Sequence, residues 1–137
     1  MQDRISVKFV LSLVFVTASA ADAAPPSTFA NGYAYQATFT VAAGQTPSAL
    51  TNFPALISGT FADFATTANG GRISNTCTQK VGNNLTAVPC DLIFTSDAAG
   101  ATLLNWEFET WTPTTGAVNV WVNVPSLANG TVVYAWY

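Results

Sequence analysis

Apolar and polar side chains alternate most clearly between residues 91 and 125, in three runs separated by two turn-like segments. One side of the second and third runs is apolar and consists of Leu104, Trp106, Phe108, Val118, Val120, Val122 and Val124. The opposite side is more polar and consists of Asn105, Glu107, Glu109, Asn119, Trp121 and Asn123. Because successive side chains of a strand point to opposite faces, the pattern predicts antiparallel strands with one buried and one half-exposed face.

Three further runs extend the strand pattern over the rest of the chain. Strict alternation runs from Tyr33 to Val41, and a short apolar run at 53–58 has Pro54 in its second position. Proline has no amide hydrogen to donate, so this run is predicted to begin a strand or to form a sheet edge. The segment at 59–71 has no clear period and receives no assignment. The predicted strands are 33–41, 53–58, 91–95, 103–111, 117–124 and 131–137.

About six short strands with turn residues between them are typical of an all-β domain. We therefore predict one antiparallel β-sandwich, of jelly-roll or Ig-like type. The 137 residues of the chain are enough for one small domain of this kind.

The N-terminal residues have the order of a secretory signal peptide. Arg4 and Lys8 precede an apolar run at 9–16, and Ala21-Asp22-Ala23 matches a small-residue cleavage site. This run is shorter than the roughly 20 residues of a membrane-spanning helix, so no transmembrane segment is predicted in the mature chain. The predicted organisation is a signal peptide at 1–23, an irregular leader at 24–32 and a β-sandwich domain at 33–137. The destination is the periplasm, the extracellular space or the cell surface.

The amino-acid composition argues against several functional classes of protein. Charged residues make up 8% of the chain, and the net charge is −3. Beyond the predicted signal peptide the only basic side chains are Arg72 and Lys80, so the sequence offers no electrostatic footprint for nucleic acid. Histidine is absent, which removes the commonest general base and the commonest zinc ligand. No cofactor and no metal are expected, and an enzyme is disfavoured.

The two cysteines, Cys77 and Cys90, lie within a segment at about 65–90. In an exported protein a lone cysteine pair is predicted to form a disulfide, which would stabilise the fold by about 3 kcal/mol through loop closure. The alternative is a redox or metal-binding pair. The residues that usually accompany such a redox or metal-binding pair are absent, because the chain has neither a C-x-x-C motif nor a histidine.

Acidic residues suggest two kinds of chemistry. Glu107 and Glu109 are two apart on one predicted strand, so their Cα atoms would lie roughly 6.5–7 Å apart on one face. Paired carboxylates at such a separation occur in glycosidases, although a solvated strand face explains the same pattern. Together with Asp91 and Asp97 they could also supply oxygen ligands to calcium, but no calcium-loop motif is present.

Trp121 is the most suggestive aromatic residue, because it lies opposite the valine stripe of its predicted strand. An exposed indole beside Asn119, Asn123 and the two glutamates would suit stacking on a sugar ring or docking of a neighbouring domain. The alternative is that Trp121 packs under the inserted segment or against a second layer. The candidate ligand-binding residues are Trp121, Asn119, Asn123, Glu107 and Glu109.

Five sequence blocks in order resemble a known family. They read FPALI at 53–57, DLIFT at 91–95, LNWEFETW at 104–111, VWVNVP at 120–125 and VYAWY at 133–137. This order is similar to the bacterial domain-of-unknown-function family 2341, whose blocks run Y-P-V, D-I-R-F-T-D, L-x-Y-W-I-E-x-W, W-V-K-V-P and Y-Y-G-N. The resemblance implies a secreted or surface-exposed β-sandwich module, often found beside concanavalin-like or laminin-G-like domains and without established catalytic residues. Departures are the cysteine-bearing insertion, Ile93 in place of the family's arginine, and the missing closing Gly-Asn.

Two functional hypotheses follow. The first is a non-catalytic exported module that binds a polysaccharide or another cell-surface ligand through exposed aromatics. The second is a structural module of a surface protein or filament, whose C-terminal strand at 131–137 would pair with another copy or domain through an open edge. Only the second predicts self-association without ligand.

Overall fold

The computed structural model describes residues 29–81 and 83–137. The predicted signal peptide and the first part of the leader lie outside the described residues, and the part of the leader at 29–32 is irregular. The described residues form eight strands: β1 Gln36–Thr40, β2 Leu50–Thr60, β3 Thr76–Val81, β4 Asn84–Pro89, β5 Ile93–Thr95, β6 Asn105–Thr112, β7 Ala117–Leu127 and β8 Val132–Trp136. Within the described ranges no helix has the length and apolar character needed to cross a membrane.

The strands pair antiparallel in two three-stranded sheets and one hairpin. The β8 sheet has the order β1-β8-β5, the β7 sheet has the order β2-β7-β6, and β3 pairs with β4. The predicted all-β sandwich is therefore confirmed. Pairing is nested, because the first strand lies beside the last and the second beside the last but one. In an Ig-like sandwich the first strand pairs with the second, so the nested order differs from the Ig-like alternative.

The core fills the space between the two sheets, as the alternation predicts. The valine stripe of β7 is buried, with Val120 and Val122 both at 0% exposure. The β8 sheet contributes Phe39, Phe94 and Val133 to the same cluster. The unassigned segment at 59–71 begins with the end of β2 and then contains two short 3₁₀ turns, Ala62–Phe64 and Thr67–Asn69.

The inserted segment contains the β3–β4 hairpin, which the alternation pattern did not predict. Cys77 in β3 and Cys90 just after β4 form the predicted disulfide, with their Cα atoms 5.2 Å apart. Val88 is buried in the core cluster, whereas Leu85 near the tip is exposed. The hairpin lies against β6, so the insertion covers one edge of the β7 sheet.

The prediction that the C-terminal strand offers an open edge is wrong. β8 lies in the middle of its sheet, where Trp136 is opposite Gln36 of β1 on one side and Ile93 of β5 on the other. Nesting brings the last strand between two earlier ones, and strand order cannot be inferred from alternation alone. The edge position of Pro54 is confirmed, because β7 is the only strand that pairs with β2 among the described residues.

Candidate functional site

The outer face of the β7 sheet brings the five candidate residues together. Strand register places Trp121 of β7 between Leu56 of β2 and Glu107 of β6. Asn119 and Asn123 lie on either side of Trp121 along the same strand. This face points away from the core, since the intervening valines of β7 are buried.

A β-bulge in β6 positions the second glutamate. The register between β6 and β7 shifts between Phe108 and Thr110, so Glu109 is the extra residue on β6. A bulge lets two residues oppose one on the partner strand and reorients the side chains beyond it. Glu107, Glu109 and Thr110 are all exposed, whereas Trp111 returns to the core. Its indole N–H donates to the carbonyl oxygen of Phe64 at 2.8 Å.

Trp121 is half-buried, and Glu109 holds its indole. Trp121 Nε1 donates a hydrogen bond to Glu109 Oε2 at 3.3 Å. The prediction of a freely exposed ring is therefore modified: the indole is partly covered, and its polar edge is fixed by a carboxylate. A hydrogen-bonded indole loses less rotational freedom when a ligand binds, which favours a preorganised contact surface.

A row of polar side chains crosses the sheet next to Trp121. Ser58 Oγ donates to Asn119 Oδ1, and Asn119 Nδ2 donates to Thr110 Oγ1 at 3.0 Å. The row therefore links β2, β7 and β6 by hydrogen bonds. A shallow depression of about 250 Å³ lies here, lined by Ser58, Gly59, Thr60, Thr110, Thr112, Ala117, Val118 and Asn119.

The hydroxyl residues of this depression were missed from the sequence. Ser58 and Thr60 belong to β2, whereas Thr110 and Thr112 belong to β6, about fifty positions further along the chain. Their polar character at outward positions was a usable signal. Only the register through β7 shows that they meet, because each row of side chains is defined by its partner strand.

The paired glutamates lack the enclosure that glycosidase chemistry needs. A glycosidase general acid is a carboxyl group withdrawn from water. Glu107 and Glu109 are both exposed, and Glu109 also accepts the bond from Trp121. The arrangement suits binding and orientation of a polar ligand.

Asp97, one of the calcium candidates, instead orders the loop after β5. Its carboxylate accepts backbone N–H bonds from Ala99, Ala101 and Thr102, at 3.0, 3.1 and 2.6 Å. These bonds, with those from Ala101 and Thr102 largest, hold the pKa of Asp97 below its ordinary value.

Asp91, the second aspartate among the calcium candidates, orders a different loop in a similar way. Its Oδ2 accepts N–H bonds from Ser74 and Asn75, at 2.8 and 3.0 Å. Among the residues that the structure describes, no group of three or more acidic or cysteine side chains could hold a metal ion.

The other tryptophans serve packing. Trp136 is fully buried on the far side of the β8 sheet, where its Nε1 donates to Thr95 Oγ1 at 2.8 Å. The ring of Phe29 packs edge-on against it at 5.0 Å. Trp106 packs against the core beside Phe94. Trp121 is thus the tryptophan that the fold leaves on a polar outer face.

No family model, no curated protein and no solved structure matches the chain. The resemblance to the domain-of-unknown-function family stays a prediction, and inference about function depends on the geometry of the fold.

Proposed function

We propose that the protein is a non-catalytic binding module that takes a carbohydrate chain on the outer face of the β7 sheet. The observation that carries the proposal is the position of Trp121: its indole is held by Glu109 and lies beside a hydrogen-bonded polar row. A sugar ring has an apolar C–H face and a hydroxyl rim. An aromatic plane surrounded by hydroxyl, amide and carboxylate groups matches both parts.

Charge favours a neutral sugar. The described face carries two carboxylates, Glu107 and Glu109, and no basic side chain lies in its register rows. A polyanion would meet like charge there, whereas neutral hydroxyls can donate to the carboxylates. The ligand class is therefore a neutral polysaccharide or the neutral glycan of a cell surface.

Export is part of the proposal. The Cys77–Cys90 disulfide is compatible with an oxidising compartment, where such bonds persist. The signal-peptide pattern of the first residues points the same way. A polysaccharide outside the cytoplasm is the partner that this location would offer.

The test is a titration of the purified protein with neutral and acidic oligosaccharides, followed by tryptophan fluorescence and calorimetry. We expect saturable binding of a neutral sugar that is lost in Trp121→Ala. Trp106→Phe is the matched control, because it removes a tryptophan from the core side of the same sheet and leaves the outer face unchanged. Binding that persists in Trp121→Ala, or no binding of any sugar, would contradict the proposal.

Glu109 allows a finer test. Glu109→Gln keeps an oxygen that can accept the indole N–H, whereas Glu109→Ala removes it. If Glu109 positions the ring, the first variant retains most of the affinity and the second weakens it. Equal losses would mean that the carboxylate charge itself contacts the ligand.

A further inference from the structure

Among the described residues, no strand pairs with the outer edge of β2, so the backbone hydrogen-bonding groups along this edge are unoccupied. Phe61 N–H donates to the oxygen of Gly116 at 3.1 Å, continuing the register in which Thr60 is opposite Ala117. In an antiparallel ladder, residues alternate between directing both backbone groups toward a given neighbour and away from it. Leu56, Ser58 and Thr60 therefore direct their N–H and C=O groups outward.

Pro54 independently supports this alternation. It falls in the outward-directed set, so the amide hydrogen that proline lacks would have faced the open edge. Pro54 therefore removes no hydrogen bond from the ladder between β2 and β7. Had the alternation been the opposite, Pro54 would have removed a hydrogen bond from the middle of the sheet.

The second half of β2 has none of the usual protection against edge pairing. Sheet edges are normally blocked by charged side chains, proline, bulges or short strands. Pro54 and the positive φ of Asn52 (48°) interrupt the first half only. Residues 56–60 pair with β7 without a register shift, and β2 as a whole carries no charged residue.

We propose that two copies of the chain associate by antiparallel pairing of this edge about a two-fold axis at Ser58. Ser58 would face the partner subunit's Ser58, and Leu56 would face the partner subunit's Thr60. Each facing pair exchanges two backbone hydrogen bonds, since all three residues are outward-directed. The edge is complementary to itself under a two-fold rotation, which is the commonest symmetry of homo-oligomers.

A second copy fits this edge better than a charged peptide does. The side chains along the seam are neutral, so two chains of net charge −3 can approach without placing like charges opposite each other. Pairing would join the two β7 sheets into one continuous sheet with the strand order β6-β7-β2-β2-β7-β6.

A consequence for binding rests on the proposed function. The two Trp121 faces would lie on the same side of the joined sheet, about 14 Å apart across the strands and about 13 Å apart along them, which gives a separation of roughly 20 Å. One polysaccharide chain could then contact both faces, and the second contact would gain from the raised local concentration. The association itself does not depend on sugar binding.

Sedimentation velocity of the purified protein without sugar tests the association, using Thr60→Lys and Thr112→Lys. Both threonines are exposed and lie in one register row with Ala117, but Thr60 is on β2 and Thr112 on β6. We expect a concentration-dependent dimer for wild type and Thr112→Lys, and a dissociation constant raised at least tenfold for Thr60→Lys. Circular dichroism would verify that both variants fold.

Cross-linking tests the register. A facing pair of this type has its Cα atoms about 5.5 Å apart, within the range of a disulfide. Ser58→Cys should therefore give a covalent dimer on mild oxidation, and Thr112→Cys should not.

A wild-type protein that is monomeric at every soluble concentration would overturn the association and leave the sugar proposal standing. A dimer that is insensitive to Thr60→Lys, or that does not cross-link through Ser58→Cys, would also overturn it by placing the interface elsewhere. Sedimentation of Trp121→Ala keeps the two proposals separable, because this variant should lose sugar binding and still form the dimer.

Discussion

The side-chain amide of Gln79 pairs with the main chain of Phe108 much as a neighbouring strand would. Gln79 Nε2 donates to Phe108 O at 2.9 Å, and Phe108 N–H donates to Gln79 Oε1 at 3.3 Å. Phe108 directly precedes the bulge residue Glu109 on the outer edge of β6. One side chain from the disulfide-bridged hairpin thus satisfies the backbone next to the β-bulge that positions Glu109 on the outer face.

Replacing Gln79 should destabilise the fold measurably. Gln79→Ala removes both partners of the Phe108 backbone, and we expect the free energy of unfolding in urea to fall by about 1–2 kcal/mol. Thr78→Ala is the control, since Thr78 is exposed on the same strand. An equal change in both variants would show that the Gln79 bonds contribute nothing.

The buried bond between Thr95 and Trp136 should also contribute to stability. Both residues are at 0% exposure, so Thr95→Val would leave Trp136 Nε1 buried without an acceptor. We expect a loss of about 1–3 kcal/mol in urea unfolding. Thr95→Ser keeps the hydroxyl and should lose less. The opposite order of the two variants would contradict this account.

Asp97 should make stability depend on acid pH. Backbone N–H bonds, that of Ala101 first, lower the pKa of Asp97 in the folded state. Its contribution is therefore complete above the unfolded-state pKa of about 4 and is lost as pH falls through the lower folded-state value. Asp97→Asn should be less stable than wild type at neutral pH, with a flatter decline below about pH 4.

Urea unfolding across that pH range measures the effect. Glu107→Gln, which removes one exposed carboxylate from β6, provides the control for a general change in net charge. If Asp97→Asn and wild type decline in parallel, the loop bonds do not stabilise the ionised aspartate.

Gly116 should tolerate a side chain far less well than Gly130. Both have positive φ, 72° and 82°, which costs an alanine about 1–2 kcal/mol. A Cβ at Gly116 would also collide with the carbonyl oxygen of Phe61 and lie 2.8 Å from the nitrogen of Ala65, whereas Gly130 has open space. Thermal unfolding should show Gly116→Ala to be less stable than Gly130→Ala by roughly 1–3 kcal/mol. Similar values would mean that the β6–β7 turn can move away from Phe61.

Much of the candidate site followed from local pattern. Alternation around Trp121 correctly separated the buried valines from the outward Asn119 and Asn123, because side-chain direction in a strand depends only on position along that strand. Pro54 marked an edge for a similarly local reason, namely its missing amide hydrogen. The alternation also correctly predicted that Phe108 is buried in the core.

The remaining features of the candidate site depend on how the strands pair. The bulge at Glu109 turns Trp111 inward and brings a carboxylate to the indole of Trp121, and neither effect is visible until β6 is aligned with β7. The hydroxyls of Ser58 and Thr110 meet only across β7.

The sequence by itself determined six of the eight described strands, the buried side of β1, of β7 and of β6 up to the bulge, and which cysteines pair. The tertiary structure alone decided that β8 is central and that the open edge belongs to β2. Burial of a face is encoded in the spacing of neighbouring residues, whereas strand order and register depend on contacts between segments far apart in the chain.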